Sequence, residues 1–373
     1  MKYLAVLGRQ PKISLAELES LFSDVRQLSG ILATLESTEK PDINRLGGSL
    51  KIAEKLEEPV LDFLQNLPEG KITLGVSDYS KTASKKTAWS EALKLKKILV
   101  RRGRSVRVLE NKEASLSTAV SHHNQLAEKK NHVEIIKFNK DWFVVSGVQN
   151  ITAYSKRDQA RPARDAKVGM LPPKLAQILI NLCGPLKEGS IILDPFCGTG
   201  VVLQEALLMG FTPYGTDLSD RMVEYSKKNL KWLAEEKDLT NKETYAKMEI
   251  CVGDAIDFEW QKIDAVACET YLGPPMSTIP SDIKLKSAKQ ECKPIILGFL
   301  KNLSPQIRKS TPVTIAVPAW LKENGEYSRL NILDEIENLG YNVVKLKNSS
   351  EKDLLYHREG QIVARELIIL RKN

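Results

Sequence analysis

Four acids in this chain stand where an α/β protein does its chemistry. Asp194 closes the apolar run Ile191-Ile192-Leu193 and opens the loop Pro195-Phe196-Cys197-Gly198-Thr199-Gly200. Glycines at two of these positions let the backbone turn sharply and bring amide N–H groups against a ligand at the start of the next helix. Asp217 ends a second apolar stretch, 23 residues after Asp194. Asp254, followed by Ala255, ends a third, and Glu269, followed by Thr270 and Tyr271, ends a fourth. The loop is not a phosphate cradle. No Gly-Lys-Ser/Thr follows its glycines, and Leu203 stands where a dinucleotide fingerprint has its third glycine. Asp194 would repel a pyrophosphate but suits a ligand carrying an ammonium group. Asp217 is placed to accept both hydroxyls of a ribose, the logic of an acid at the end of a second strand.

These acids meet only if a parallel sheet aligns the strand ends that carry them. The pattern predicts such a sheet: strand 191–194, helix 201–209, strand 212–217, helix 219–234, strand 250–255 and strand 264–268, the alternation of a doubly wound α/β domain. The tail continues with strand 312–318, helix 330–339, strands 341–346 and 354–358, a turn at Gly360 and strand 362–371, an antiparallel edge hairpin. Four regions follow: an α+β piece over 1–65, a second module over 66–150, a charged linker over 151–173, and the α/β domain over 174–373. In the first, Ser14 is expected to cap a helix with Glu17 three residues on. In the linker, Gly169 and Met170 precede Leu171-Pro172-Pro173-Lys174, which opens a helix with proline at its start.

The second module carries a basic helix, expected over 88–102, with Lys94, Lys96, Lys97, Arg101 and Arg102, followed by Arg104 and Arg107. A charge run is ordinarily a solvated face. The lack of acids from 92 to 109 tilts this one towards phosphate contacts. In the linker, Arg157, Arg161 and Arg164 either touch a polyanion or pair with Asp158 and Asp165; both readings stand.

The 373 residues suit two domains or three small ones, and 42% hydrophobic content is enough for real cores. A formal charge of +8 fits a polyanionic partner. No apolar run approaches the ~20 residues a membrane span needs. The N-terminal apolar stretch is too short for a signal peptide. The 5 cysteines are odd in number and none forms a Cys-x-x-Cys pair, so reduced thiols in the cytoplasm are expected, with neither disulfides nor structural zinc. His122-His123 has no other ligand-type residues nearby, and no metal is expected.

Asp194-Pro195-Phe196-Cys197-Gly198-Thr199-Gly200 resembles the first motif of class I S-adenosylmethionine-dependent methyltransferases, in the form typical of nucleic-acid N-methyltransferases. The resemblance implies that this loop, Asp217, Asp254 and Ala255 hold the methyl donor, with Asp254 on the adenine amine. Glu269 and Tyr271 then fall where amine-methylating relatives carry Asp/Asn-Pro-Pro-Tyr/Phe. There the acid accepts from the target amine and the aromatic ring stacks on the base. This chain departs from that pattern: Glu269 is one methylene longer, Thr270 and Tyr271 replace the prolines, and Leu272 takes the aromatic position. Cys268 lacks the Pro-Cys context of a C5-methylating nucleophile. With Gly47-Gly48-Ser49-Leu50-Lys51-Ile52 and Leu171-Pro172-Pro173-Lys174-Leu175-Ala176, nearly the whole chain resembles the tRNA guanine N2-methyltransferases that carry an N-terminal RNA-binding THUMP domain. That family implies a ferredoxin-like piece, a THUMP module gripping tRNA through residues such as Lys97, Arg101, Arg102, Arg104 and Arg161, and a Rossmann-like catalytic domain. It also leaves room for a small activating protein partner. Two alternatives remain: an RNA-binding protein that has lost catalysis, and a DNA amino-methyltransferase.

Overall fold

The computed structural model describes residues 1–165 and 170–373, so Gly169, expected before the Pro173 helix, lies outside the described residues. The chain divides into two compact units, Met1–Pro11 with Phe22–Tyr154, and Lys12–Leu21 with Ser155–Asn373.

The first unit holds one eight-stranded sheet. Its strands are β1 (Lys2–Leu7), β2 (Ser23–Ser29), β3 (Leu32–Glu36), β4 (Ser49–Lys55), β5 (Ile72–Asp78), β6 (Val106–Val108), β7 (His132–Phe138) and β8 (Asp141–Val148), in the order β2-β3-β1-β4-β8-β7-β5-β6. The β4–β8 pairing, with Lys51 opposite Val148 and Lys55 opposite Phe143, joins strands of the region 1–65 to strands of the region 66–150. β5 is flanked by β6 and β7, both parallel to it. Parallel strands need a crossover, and the helix Lys85–Arg101 supplies the one between β5 and β6. Its buried stripe is Ala88, Ala92, Leu95 and Leu99, the spacing of one helical face. It starts three residues before the expected Ala88 because Ser84 accepts from Thr87 N and Thr87 in turn accepts from Ser84 N.

The second unit is built on a nine-stranded sheet. In chain order its strands are β9 (Ile191–Asp194), β10 (Thr212–Asp217), β11 (Glu249–Val252), β12 (Ala265–Glu269), β13 (Pro312–Leu321), β14 (Tyr327–Ser328), β15 (Tyr341–Val343), β16 (Leu355–Tyr356) and β17 (Val363–Lys372). The sheet runs β11-β10-β9-β12-β13-β17-β15. Its first five strands are mutually parallel, whereas β17 lies antiparallel between β13 and β15. The last strand of the chain is therefore inserted into the sheet, and the short β16 pairs along its side.

Alternate residues of the central strands feed two cores. Leu193, Val266 and Cys268 face a cluster with Phe299, Ile296 and Trp320. Ile192, Ala265 and Ala267 face another with Leu179, Val202 and Ala206. Apolar residues on both faces are what a parallel sheet covered by helices requires. The helix Pro11–Leu21 sends Ile13 and Ala16 into the second cluster, and its buried Glu17 accepts from Asn181 Nδ2 at 2.8 Å. Ser14 does not cap this helix: Pro11, with its preset φ, starts it, and Ser14 is a buried interior residue. The long helix Asp282–Leu303 has no counterpart among the expected elements; Pro294 inside it interrupts the helical signal.

Candidate active site

The site forms where β9, β10, β11 and β12 end. Parallel alignment puts all four carboxyl ends on one edge, the usual ligand edge of such a sheet. After Asp194 the chain must turn at once into the helix Val201–Leu208. Gly200 makes that turn with φ +79°, and a Cβ there would stand 2.8 Å from Ser226 Oγ. Gly198, at φ +51°, points its amide to Asp217 Oδ2 at 2.9 Å. The other oxygen of Asp217 accepts from Ser219 N at 2.9 Å. One carboxylate thus ties the glycine loop to the start of the helix Asp220–Glu236.

The ends of these strands surround a cavity of about 830 Å³. Asp194, Pro195, Phe196, Cys197, Gly198, Thr199, Asp217, Asp254, Ala255, Glu269 and Tyr271 all line it. Gly200 stands one residue behind, shaping the loop.

The cavity is strongly acidic. Asp194, Asp217, Asp254, Glu269 and Glu291 line it, against Arg365 as the one basic residue among the described lining. Asp194 is 2% exposed and accepts from Phe196 N at 3.1 Å. Burial, with the charges of Asp217 and Glu269 added, holds its carboxyl well above the usual range. Among the described residues no cationic side chain pairs with it. A buried acid of this kind is a ready counter-charge for a cationic ligand. Asp254 Oδ1 accepts from Ile256 N at 3.1 Å.

Two apolar residues complete the cleft. Leu218 is 72% exposed and Ile256 47% exposed, and both line the cavity directly after the acids Asp217 and Asp254-Ala255. Exposed aliphatic side chains beside acceptors suit a flat heterocycle. They can be found in the sequence as the pairs Asp217-Leu218 and Ala255-Ile256.

At the end of β12, Glu269 Oε1 accepts from Arg365 Nε at 2.7 Å. Thr270 is buried, and both its N and its Oγ1 donate to Ala316 O, at 3.0 and 3.1 Å. Tyr271 donates its hydroxyl to Glu291 Oε1 at 2.5 Å. Burial, reinforced by Glu291, pushes the Tyr271 phenol up to about 12. Glu291 comes from the long helix and Arg365 from β17, and neither belongs to a local motif. Cys268 is fully buried and its thiol is raised well above the usual value by that burial, so it is core rather than nucleophile.

The basic residues fall into different places. Lys97 and Arg101 are exposed on the helix Lys85–Arg101. Arg102, also exposed, sits 3.4 Å from Asp62. Arg104 is half-buried, and its guanidinium donates to the carbonyls of Gln65, Leu67 and Pro68. That is a fold contact rather than a surface free for phosphate. Arg161 is 3% exposed and lies 3.6 Å from Asp158, so of its two readings the structure displays the acid pairing. Arg157 pairs with buried Glu205, at 2.6 and 3.2 Å. Asp165 pairs with Arg221 at 2.7 Å. Among the described residues no cluster could hold a metal ion, the His122-His123 pair included, and no helix is long and apolar enough to cross a membrane.

Residues 161–267 match the UPF0020 family, RMKL-like, methyltransferase domain. The second unit has the class I methyltransferase fold. The tRNA (guanine(10)-N2)-dimethyltransferase of Methanothermobacter thermautotrophicus is 30% identical over 184 residues, 48% of this chain and 49% of that protein. The enzyme of the same name from Pyrococcus abyssi is 38% identical over 116 residues, 30% of this chain and 31% of its own. The chain thus spans half or less of the length of these relatives. Among solved structures, TrmN from Thermus thermophilus aligns over 100% of both chains with a TM-score of 0.50 and 15% identity, a likeness of fold.

Proposed function

We propose that this protein is an S-adenosylmethionine-dependent tRNA methyltransferase acting on the exocyclic N2 of a guanosine. The observation that supports this most is the acid-lined cavity at the ends of β9 to β12, with buried Asp194 as counter-charge for a cation and with Glu269 and Tyr271 in the same lining. The residues present fit the donor. Asp194 would balance its ammonium and sulfonium charge, Asp217 would accept from the ribose hydroxyls, and Asp254 with the Ala255 amide would meet the adenine edge between Leu218 and Ile256.

The donor supplies a methyl group already activated on a positive sulfur. The chain's task is then to place a weak amine nucleophile in line and keep water out. Glu269 accepts a hydrogen bond from the target amine, aiming its lone pair into the cavity and receiving the proton as the new N–C bond forms. Tyr271 offers a ring on which the base stacks, a contact worth about 1–3 kcal/mol per base in single-stranded binding sites. The Thr270 clamp on Ala316 fixes the backbone between them.

The names of the relatives support tRNA as substrate. In the first unit, the THUMP-like region 66–150 would bring RNA through the exposed Lys97 and Arg101, and a cytoplasmic site of action belongs to the same reading. The test is incubation with methyl-labelled donor and unmodified tRNA transcripts, followed by nucleoside analysis. Labelled N2-methylguanosine is the expected product. Donor binding without transfer, even with total cellular tRNA, would overturn the reading in favour of an RNA-binding protein. Label in DNA alone would point to the DNA enzyme.

A further inference from the structure

We propose that Arg365 is a positioning residue for the methyl transfer, holding Glu269 in place and committing its second oxygen to the substrate amine. The inference rests on the proposed function and assigns a role to a residue that no local motif reveals.

Glu269 ends β12, and Arg365 lies on β17, two strands away across β13. Register brings them near each other, offset by two residues: Glu269 pairs with Ala316 of β13, and Arg365 with Pro318. The Arg365 side chain is 6% exposed and that of Glu269 16%, so their contact is largely shielded from water. Arg365 donates from Nε to Oε1 alone. Oε2 accepts from none of the described residues, and both side chains line the cavity. A glutamate is long and has more rotamers than an aspartate held before two prolines. The pair removes that freedom, and Thr270 bonded twice to Ala316 O removes the freedom of the next backbone unit. Hydrogen bonds across the sheet thereby provide the stiffness that prolines give at this place in the resembling enzymes.

The pair also sets the charge. Glu269 is raised by burial, and Arg365 pulls it back down. The other groups facing it are acids: Asp194 at the end of β9, whose own titration feels Glu269, and Glu291 with Tyr271 on the cavity wall. Arg365 is the one cation among the described lining residues that opposes them. Without it, Glu269 would hold its proton to higher pH and lose its capacity to accept from the amine.

The experiment compares wild type with Arg365→Met, Arg365→Lys and Glu269→Gln, as full-length protein, in two readouts. In the first, kcat and KM for tRNA are measured from pH 5 to pH 9. Arg365→Met should lower kcat about tenfold or more with KM within threefold, and its acid limb should move up by about one pH unit. Arg365→Lys should recover part of both. An unmoved limb with unchanged kcat overturns the proposal. In the second, the Glu269 carboxyl carbon is titrated by NMR in glutamate-labelled protein, with Glu269→Gln giving the assignment. Its midpoint should be higher in Arg365→Met, and an identical midpoint overturns the proposal. This second readout needs no turnover, so it separates a failure of the pair from a failure of the methyltransferase reading, which wild-type inactivity alone would report. Should Arg365→Met fail to fold, Arg365→Lys carries both measurements.

Discussion

The carboxylate of Asp217 accepts the amide of Gly198 across 2.9 Å, joining the end of β10 to the glycine loop that follows β9. The same carboxylate takes Ser219 N, so the loop and the next helix are held by one side chain. Asp217→Ala should therefore weaken donor binding by more than the removal of a ribose hydrogen bond alone, about tenfold to hundredfold by calorimetry. Asp217→Asn, which can keep one of the two amide bonds, should lie between. Equal affinities for both variants and wild type would remove Asp217 from the donor site.

Gly200 is constrained twice, by its left-handed backbone and by Ser226 behind it. Gly200→Ala should destabilise the fold by about 1–3 kcal/mol. The damage should extend to the loop, visible as lower donor affinity. Gly200→Ala combined with Ser226→Ala relieves the clash but not the φ, so urea unfolding should show partial recovery only.

Asp194 gives a pH dependence with a definite sign. Its carboxyl titrates well above the ordinary 3.8 when folded, because burial disfavours the charge. The unfolded chain therefore releases this proton first. The stability that the neutral acid contributes is complete below pH 3.8 and is lost as pH rises through the folded value. Asp194→Asn should have a higher Tm than donor-free wild type at pH 8, with the gap closing towards pH 4, while its donor affinity falls. A gap independent of pH would contradict the assignment. Donor added to wild type at pH 8 should raise Tm by supplying a cation to the buried carboxylate.

Arg157 and Glu205 form a buried pair in which Glu205 is raised by burial and drawn back by Arg157. Arg157→Met should cost about 3–5 kcal/mol, since it removes the ion-pair partner of a buried carboxylate. Adding Glu205→Leu should restore most of that stability. Denaturant unfolding of the single and double variants gives the coupling directly, and additive costs would deny it.

In the first unit the basic residues should separate by role. Lys97→Glu and Arg101→Glu should weaken tRNA binding and make its salt dependence shallower, by about one unit of slope for each phosphate that is no longer neutralised. Arg104→Ala should instead lower Tm, because its guanidinium holds the carbonyls of Gln65, Leu67 and Pro68. A salt slope that changes only for Arg104 would reverse these roles.

Local chemistry determined the part of the cavity proposed to hold the donor. An acid closing an apolar run, glycines in the loop behind it and further acids at the next strand ends all lie within short stretches of chain. Short apolar runs bounded by turn residues marked the strands themselves, so sheet, loop and cleft were readable from residues 191 to 269. Tertiary structure alone decided the surroundings of Glu269 and Tyr271. Arg365 is 96 residues from Glu269 and meets it only because β17 is inserted beside β13. Glu291 reaches Tyr271 from a helix whose Pro294 obscures it in the sequence. Tertiary structure also buried Arg157 and Arg161, which charge alone marks as surface residues, and turned Arg104 inward to cap carbonyls. A side chain's type states which partners it can satisfy; which of them it finds depends on distances that only the folded chain sets.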